Sequence, residues 1–440
     1  MTERPWTIRE LRSALAAGSL EPLELARQAL ARSNQGPNRN TYLWQDATWT
    51  QAEAVRAAAM PRSEGGPFGD GRNSLWGIPV AVKDCFDLAG APTTCGTRFY
   101  RDLHGAARQD SWLVERLRAL GAVIVGKTHL HPLAYGITGE NPEFGDCIQP
   151  GTRDALTGGS SSGAVASVRE GSAVAAIGTD TGGSVRVPAS LGGLAGYRAS
   201  LGRGDWRGGT HLAASFDTIG WIFRDLEDAP LLAAPFAPNG TVPKQRFRRF
   251  ACVAESFLHD CEPEIAANFR ATCRHLQDLG LEAHTIEPGW WAEAVEIFAP
   301  LQASEAAQLH AGNFEHIERP IRERLQWGAS LSAEEIATLR RRHSEFRARM
   351  DDLFATYELV MLPCAPYAKL VAGSSQVRSV EVIRKHLLRY TAPFSLAGVP
   401  TVVIPCSPGA VQVAAARESD EALLDLAAKF GACRRGQQGL

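Results

Sequence analysis

The sequence predicts an α/β protein, and three observations predict it. Short apolar runs rich in Val, Ile and Ala alternate with segments of helical spacing. Glycine-rich turns join the two kinds of segment, as in proteins that layer helices on a sheet. The chain has 440 residues, 45% of them apolar, which is enough for a large core and for one or two domains.

The N-terminal stretch from 7 to 34 reads as helix. Thr7 followed by Glu10 is a capping-box pair. Leu11, Leu15 and, beyond a turn near Gly18, Leu23, Leu25, Ala26, Ala29 and Leu30 keep helical spacing. A second helix is expected over Trp49 to Ala59, then a Gly- and Pro-rich loop from Gly65 to Gly71. Leu75 to Asp84 reads as a strand, because Ile78, Val80, Ala81 and Val82 are apolar and β-prone. Lys83 sits at its end. A lysine is expensive to bury, so its amine, taken alone, is expected to reach solvent along its own stem.

Ser111 to Leu120 has the periodicity of a helix. Ala122 to Gly126 is a continuous apolar strand of the kind covered on both faces. Leu130 to Asn141 is looplike. Ala164 to Val168 continues as a helix, and Ala173 to Ile177 is a buried strand. From about Ala229 to Arg342 the pattern turns mainly helical. Strand-like Phe250 to Ala254 gives way to long helical stretches, among them Pro263 to Leu279 and Ala333 to Tyr357. Glu358 to Leu362 and Thr401 to Pro405 are short apolar strands, Gln412 to Ala416 pairs nearby, and Glu421 to Phe430 closes the chain as a helix. There is no internal repeat and no low-complexity segment.

Composition excludes several classes. A formal net charge of −2 with scattered basic residues argues against a nucleic-acid partner. Arg340-Arg341-Arg342 reads as a solvated helix face. The nine cysteines are odd in number, irregular in spacing and without a CxxC pair, so a reducing, cytoplasmic location is expected. Met1 to Arg9 shows no signal peptide, and no run has the roughly 18 apolar residues of a membrane span. His129 and His131 stand two apart without a third ligand and read as ordinary local residues, so no metal and no cofactor are expected. Cys85 and Cys95 flank the lysine strand and read as inert buried thiols.

The chemistry concentrates in two serine–glycine clusters. The first is Gly158-Gly159-Ser160-Ser161-Ser162-Gly163. The second is Gly178-Thr179-Asp180-Thr181-Gly182-Gly183-Ser184-Val185-Arg186-Val187-Pro188. Glycine permits turns that other residues resist, and the serines can point hydroxyls at a ligand. Such loops also cradle phosphate, but neither ends in Gly-Lys-Ser/Thr and no GxGxxG follows a strand. None of the eleven histidines lies in either cluster, so a serine nucleophile there needs another base.

These clusters resemble the signature of the amidase signature family, whose key serines have the same spacing of 24 residues, here from 160 to 184. Gly77-Ile78-Pro79-Val80-Ala81-Val82-Lys83-Asp84 is similar to that family's catalytic-lysine strand. Ala134 to Asn141, Ser215 to Gly220 and Tyr390 to Pro400 extend the resemblance over most of the chain.

The resemblance implies a large mixed β-sheet core covered by α-helices on both faces. It implies one domain over 1–440, with a variable, mainly helical region about 229–342. Ser184 is then the acylating nucleophile, Ser160 a bridging serine after a cis peptide bond to Gly159, and Lys83 the base. The amides of Thr181, Gly182, Gly183 and Ser184 form the oxyanion hole. Ser161, Asp180 and Arg186 brace the loops, with Asp180–Arg186 read as a structural ion pair. Tyr135, Gly136, Ile137 and Thr138 contact the substrate.

The implied activity is hydrolysis of a small-molecule amide, carbamate (urethane) or ester through an acyl-enzyme, by a monomer or homodimer. The alternative is a glutaminase like the amidating component of a tRNA-dependent amidotransferase, working with a partner. Gln149-Pro150-Gly151 departs from the family's usual Asn-Pro-Trp and is expected at the pocket edge. Cys364 and Tyr367 are further pocket candidates.

Overall fold

The short apolar runs pair into a single sheet. The computed structural model describes residues 6–33, 40–61, 73–236, 246–373 and 380–438. The expected loop from Gly65 to Gly71 lies outside them.

Thirteen strands are described. In chain order they are β1 Tyr42–Trp44, β2 Pro79–Lys83, β3 Val123–Thr128, β4 Ala155–Leu156, β5 Ala175–Asp180, β6 Ala195–Arg198 and β7 Thr218–Phe223. There follow β8 Arg249–Val253, β9 Glu282–Ile286, β10 Leu359–Pro363, β11 Leu370–Val371, β12 Thr401–Pro405 and β13 Ala410–Ala415. Eleven of them form one sheet in the order β1-β3-β2-β5-β7-β6-β12-β13-β10-β8-β9, while β4 and β11 pair apart. The sheet is mixed: β3, β2 and β5 run parallel, as do β10, β8 and β9, and the other neighbours are antiparallel.

Both faces are covered, and the alternation along each strand shows it. Val80 and Val82 join the larger apolar cluster, with Ile124, Ile177 and Trp221. Ala81 faces the other way, with Val125, Ala176 and Ile222, under Ala164, Val165 and Val168 of the helix Ser162–Glu170. Each fully buried Val or Ile contributes about 1.5–3 kcal/mol, which is what stabilises so wide a sheet.

Local signals decided the ends of elements. Thr7 and Glu10 form the expected capping box on helix Ile8–Ala16, and Gly18 takes φ 68° in the turn before Pro22–Ser33. Asp46 caps Ala47–Ala58, and Ser332 with Glu335 caps the 24-residue helix Ala333–Thr356. Arg340 and Arg341 lie on its exposed face.

The strand expected at Phe250 to Ala254 within the mainly helical region about 229–342 is β8, and β8 and β9 extend the main sheet. β9 escapes sequence reading because it is a largely polar strand whose residues are half-buried or exposed. The central strands β6 and β7 escape it as well. β6 reads Ala-Gly-Tyr-Arg, and its fully buried arginine has the look of a surface residue.

Candidate active site

Side-chain alternation puts Lys83 on the same face of β2 as Ala81, under the helix Ser162–Glu170. The loop entering that helix carries Ser160. Lys83 does not reach solvent as its sequence neighbourhood suggested: it is 0% exposed. Its Nζ lies 2.8 Å from Ser160 Oγ and 2.7 Å from Thr179 Oγ1. Burial lowers its pKa to about 8, against a partial upward pull from Cys85, Asp217 and Asp180.

The peptide bond Gly159–Ser160 is cis. Two main-chain bonds strap it to the preceding loop: Gly159 N donates to Ile137 O at 2.8 Å, and His131 N to Ser160 O at 3.1 Å. Between them, Gly136 passes so close to the His131 ring that a side chain there would overlap it, with a Cβ 2.0 Å from the ring. Ser161 joins the two clusters. Its N donates to Ser184 O at 3.2 Å, and its Oγ bonds the main chain of Thr179. Ser184 is 7% exposed, whereas Lys83 and Ser160 are fully buried. Of the three, Ser184 alone is partly accessible.

Asp180 organises the second loop. It accepts from the amides of Gly183, Val185 and Arg186 and from the guanidiniums of Arg186 and Arg198. Burial pushes its pKa up, but Arg186 and Arg198 outweigh that and hold it well below the usual carboxylate range. The expected Asp180–Arg186 ion pair is therefore present, and Arg198 is a partner that the sequence did not reveal. Arg186 reaches on to Thr391 O, Gln412 Oε1 and Ser395 Oγ.

The amides expected to form the oxyanion hole differ in their partners. The Gly183 amide donates to Asp180 Oδ1 at 2.8 Å. The amides of Thr181, Gly182 and Ser184 have no acceptor among the described residues. Thr181 is held by its side chain, which donates to Asp217 Oδ1 at 2.6 Å.

The remaining candidates divide. Tyr135 is buried beside Arg324, whose guanidinium carbon sits 4.3 Å from the ring centre. Ile137 packs with Val187, Leu387 and, at its edge, Tyr367. Thr138 donates to Glu140. Gln149 is turned inward, its amide donating to Leu156 O and Leu191 O. Cys364 is fully buried in the apolar cluster that also holds Val165, Val185 and Val403. Cys85 and Cys95 are buried, which pushes both thiols up to about 12. His129 is buried and bonded to Ser162 and Gly145 O. Among the described residues no group of three His, Cys, Asp or Glu could hold a metal ion. None of the described helices is long and apolar enough to cross a membrane.

Known proteins share this fold. A family model described as Amidase matches residues 23–424. The A subunit of a glutamyl-tRNA(Gln) amidotransferase from Roseiflexus sp. (strain RS-1) is 30% identical, over 91% of this chain and 89% of its own length. Among solved structures, an amidase superposes with TM-score 0.86 at 28% identity, over 98% of this chain and 100% of that one. A 6-aminohexanoate cyclic dimer hydrolase superposes with TM-score 0.82 over 97% of this chain and 96% of its own; at 21% identity it supports the fold alone. With a family match from residue 23 to 424 over the mixed sheet and both serine loops, the chain belongs to the amidase family.

Proposed function

We propose that this chain hydrolyses linear amides of small molecules through an acyl-enzyme on Ser184. The observation that carries the reading is the buried contact of Lys83 Nζ with Ser160 Oγ at 2.8 Å. A lysine with a pKa of about 8 is neutral in about a tenth of molecules at pH 7. Neutral Lys83 takes the Ser160 proton as Ser160 takes that of Ser184. The Ser184 oxygen then attacks the carbonyl carbon. The charge that develops on the carbonyl oxygen meets the amides of Thr181, Gly182 and Ser184. The proton returns by the same route to the leaving nitrogen, which is expelled as an amine. Water entering by the reverse of these steps releases the acid and restores Ser184. Carbamates and esters present the same carbonyl and are secondary substrates.

Intact-protein mass after treatment with a fluorophosphonate tests the nucleophile. One adduct is expected, on the peptide that carries Ser184; labelling elsewhere, or none at all, would remove the acyl-enzyme. A second reading, a glutaminase that works with a partner, draws on the 30% identity to the amidotransferase chain. Turnover of simple amides by the isolated chain, running as a monomer or homodimer on gel filtration, decides against it.

A further inference from the structure

Two arginines flank the Tyr135 ring, and the reaction described above uses neither. Arg324, on the helix Arg319–Ser330, lies over the face of Tyr135 at 4.3 Å. Arg384, on the helix Val380–Ala397, lies 5.9 Å from the same ring centre. Tyr135 is 2% exposed and Arg384 6%. Arg384 is buried and Arg324 half-buried, and holding two guanidiniums side by side there is costly unless an anion answers them.

The described residues answer them only in part. Arg384 Nη2 donates to Gln302 Oε1 at 2.9 Å, and Nη1 reaches Glu381, whose side chain is 66% exposed. Arg324 forms no ion pair among the described residues; its Nε donates to Pro320 O, and its buried Nη1 has no partner. The Tyr135 hydroxyl is likewise buried and unpartnered. Glu318, the other acid acting on Arg324, is pushed up to about 7 by burial and by Glu143 and Glu140, against Arg324 itself. Unmet buried donors of this kind mark a place for an acceptor.

The cluster adjoins the loop that carries the free amides. A side chain at Gly182 would meet Phe298 at 2.7 Å and Leu388 at 3.0 Å. Gln302 is four residues beyond Phe298, and Arg384 four before Leu388. Each polar residue is thus one helical turn, about 5.4 Å, from an apolar residue that touches Gly182. Tyr135 lies at the centre of the loop whose two ends are strapped to Gly159 and Ser160.

We propose that Arg324, Arg384 and Tyr135 form an anion-recognition subsite, so that the favoured substrate is an amide bearing a carboxylate a short apolar chain away from the scissile bond. Phe298 and Leu388 line the path of that chain. This rests on the amide-hydrolase reading above. The carboxylate sits on the acyl part, as in a dicarboxylic acid monoamide, or on the leaving amine, as in an N-acyl amino acid.

The experiment compares kcat/KM for succinamate, N-acetyl-β-alanine, neutral butyramide and cationic 4-aminobutyramide. A hydrogen bond to a charged group contributes about 1.5–3 kcal/mol, so an anionic amide is expected to exceed butyramide by about 10- to 150-fold. Preference for succinamate puts the carboxylate on the acyl side, and preference for N-acetyl-β-alanine puts it on the amine side. Either supports the subsite. Arg384→Gln is expected to lower the anionic-to-neutral ratio at least about tenfold, chiefly through KM, with partial recovery in Arg384→Lys. Tyr135→Phe, which removes one oxygen and leaves the ring packing, is expected to lower the ratio less.

Equal rates on anionic and neutral amides, or a ratio that Arg384→Gln and Tyr135→Phe leave unchanged, would overturn the subsite while leaving the hydrolase reading standing. No turnover of any of the four amides would remove both.

Discussion

At the scale of residues, burial sets the chemistry. In the proposed reaction Lys83 serves as the base because apolar neighbours make its charged form costly. The acid limb of kcat/KM is therefore expected near pH 8, with activity rising as pH increases and Lys83 loses its proton. Lys83→Ala is expected to abolish that limb and slow acylation severely, with partial recovery at high pH where hydroxide replaces the base. An unchanged profile would refute the assignment. Ser184→Ala is expected to cut turnover at least about a thousandfold while leaving urea stability within about 0.5 kcal/mol.

Asp180 acts on structure in the same loop. Its carboxyl is held low by two buried arginines, so it stabilises the fold above its unfolded value near 3.9 and loses that contribution as pH falls through the lower native value. Asp180→Asn leaves Arg186 and Arg198 without their counter-ion. It is expected to cost about 3–5 kcal/mol in urea unfolding at pH 7, measured by tryptophan fluorescence. A loss below about 1 kcal/mol would show that Gln412, Ser395 and the carbonyls suffice.

At the scale of elements, caps and alternation explain most of what forms. Helix Ala333–Thr356 begins at Ser332, whose side chain takes the Glu335 amide while Glu335 returns a bond to the Ser332 amide. Ser332→Ala is expected to cost about 1 kcal/mol in urea unfolding. The cap is exposed, so kcat/KM is expected to hold. Elements that break the local rules are the ones sequence reading misses. β6 carries a glycine and a buried arginine, and β9 is an edge strand with mixed exposure. The helix Val380–Ala397 contains Pro393, which argues locally against a helix, yet Tyr390, Thr391, Phe394 and Ser395 on it are fully buried.

At the scale of the whole molecule, the sheet joins the site to the variable region. β8 and β9 continue it beyond β10, and Phe298 and Gln302 of that region approach Gly182 and Arg384. The region thus continues the main sheet. Trp76 and Trp221 are buried outside the region 229–342, and Trp291 is buried within it. Urea is expected to remove activity and tryptophan fluorescence in one coincident transition. Two separated transitions would mean that 229–342 unfolds as a unit of its own.

Local order in the chain was enough to give the family, the mixed sheet and the two serine loops with their lysine, because glycine turns, apolar runs and the serine spacing are all short-range features. It was enough, too, for the capped starts of several helices, since a capping box lies within four residues. Folding alone settled that Arg198 completes the cage around Asp180 and that the Gly183 amide is already committed. Folding also set Arg324 and Arg384 beside Tyr135. Each of these depends on groups brought together from distant parts of the chain, and in sequence a buried arginine looks the same as a solvated one.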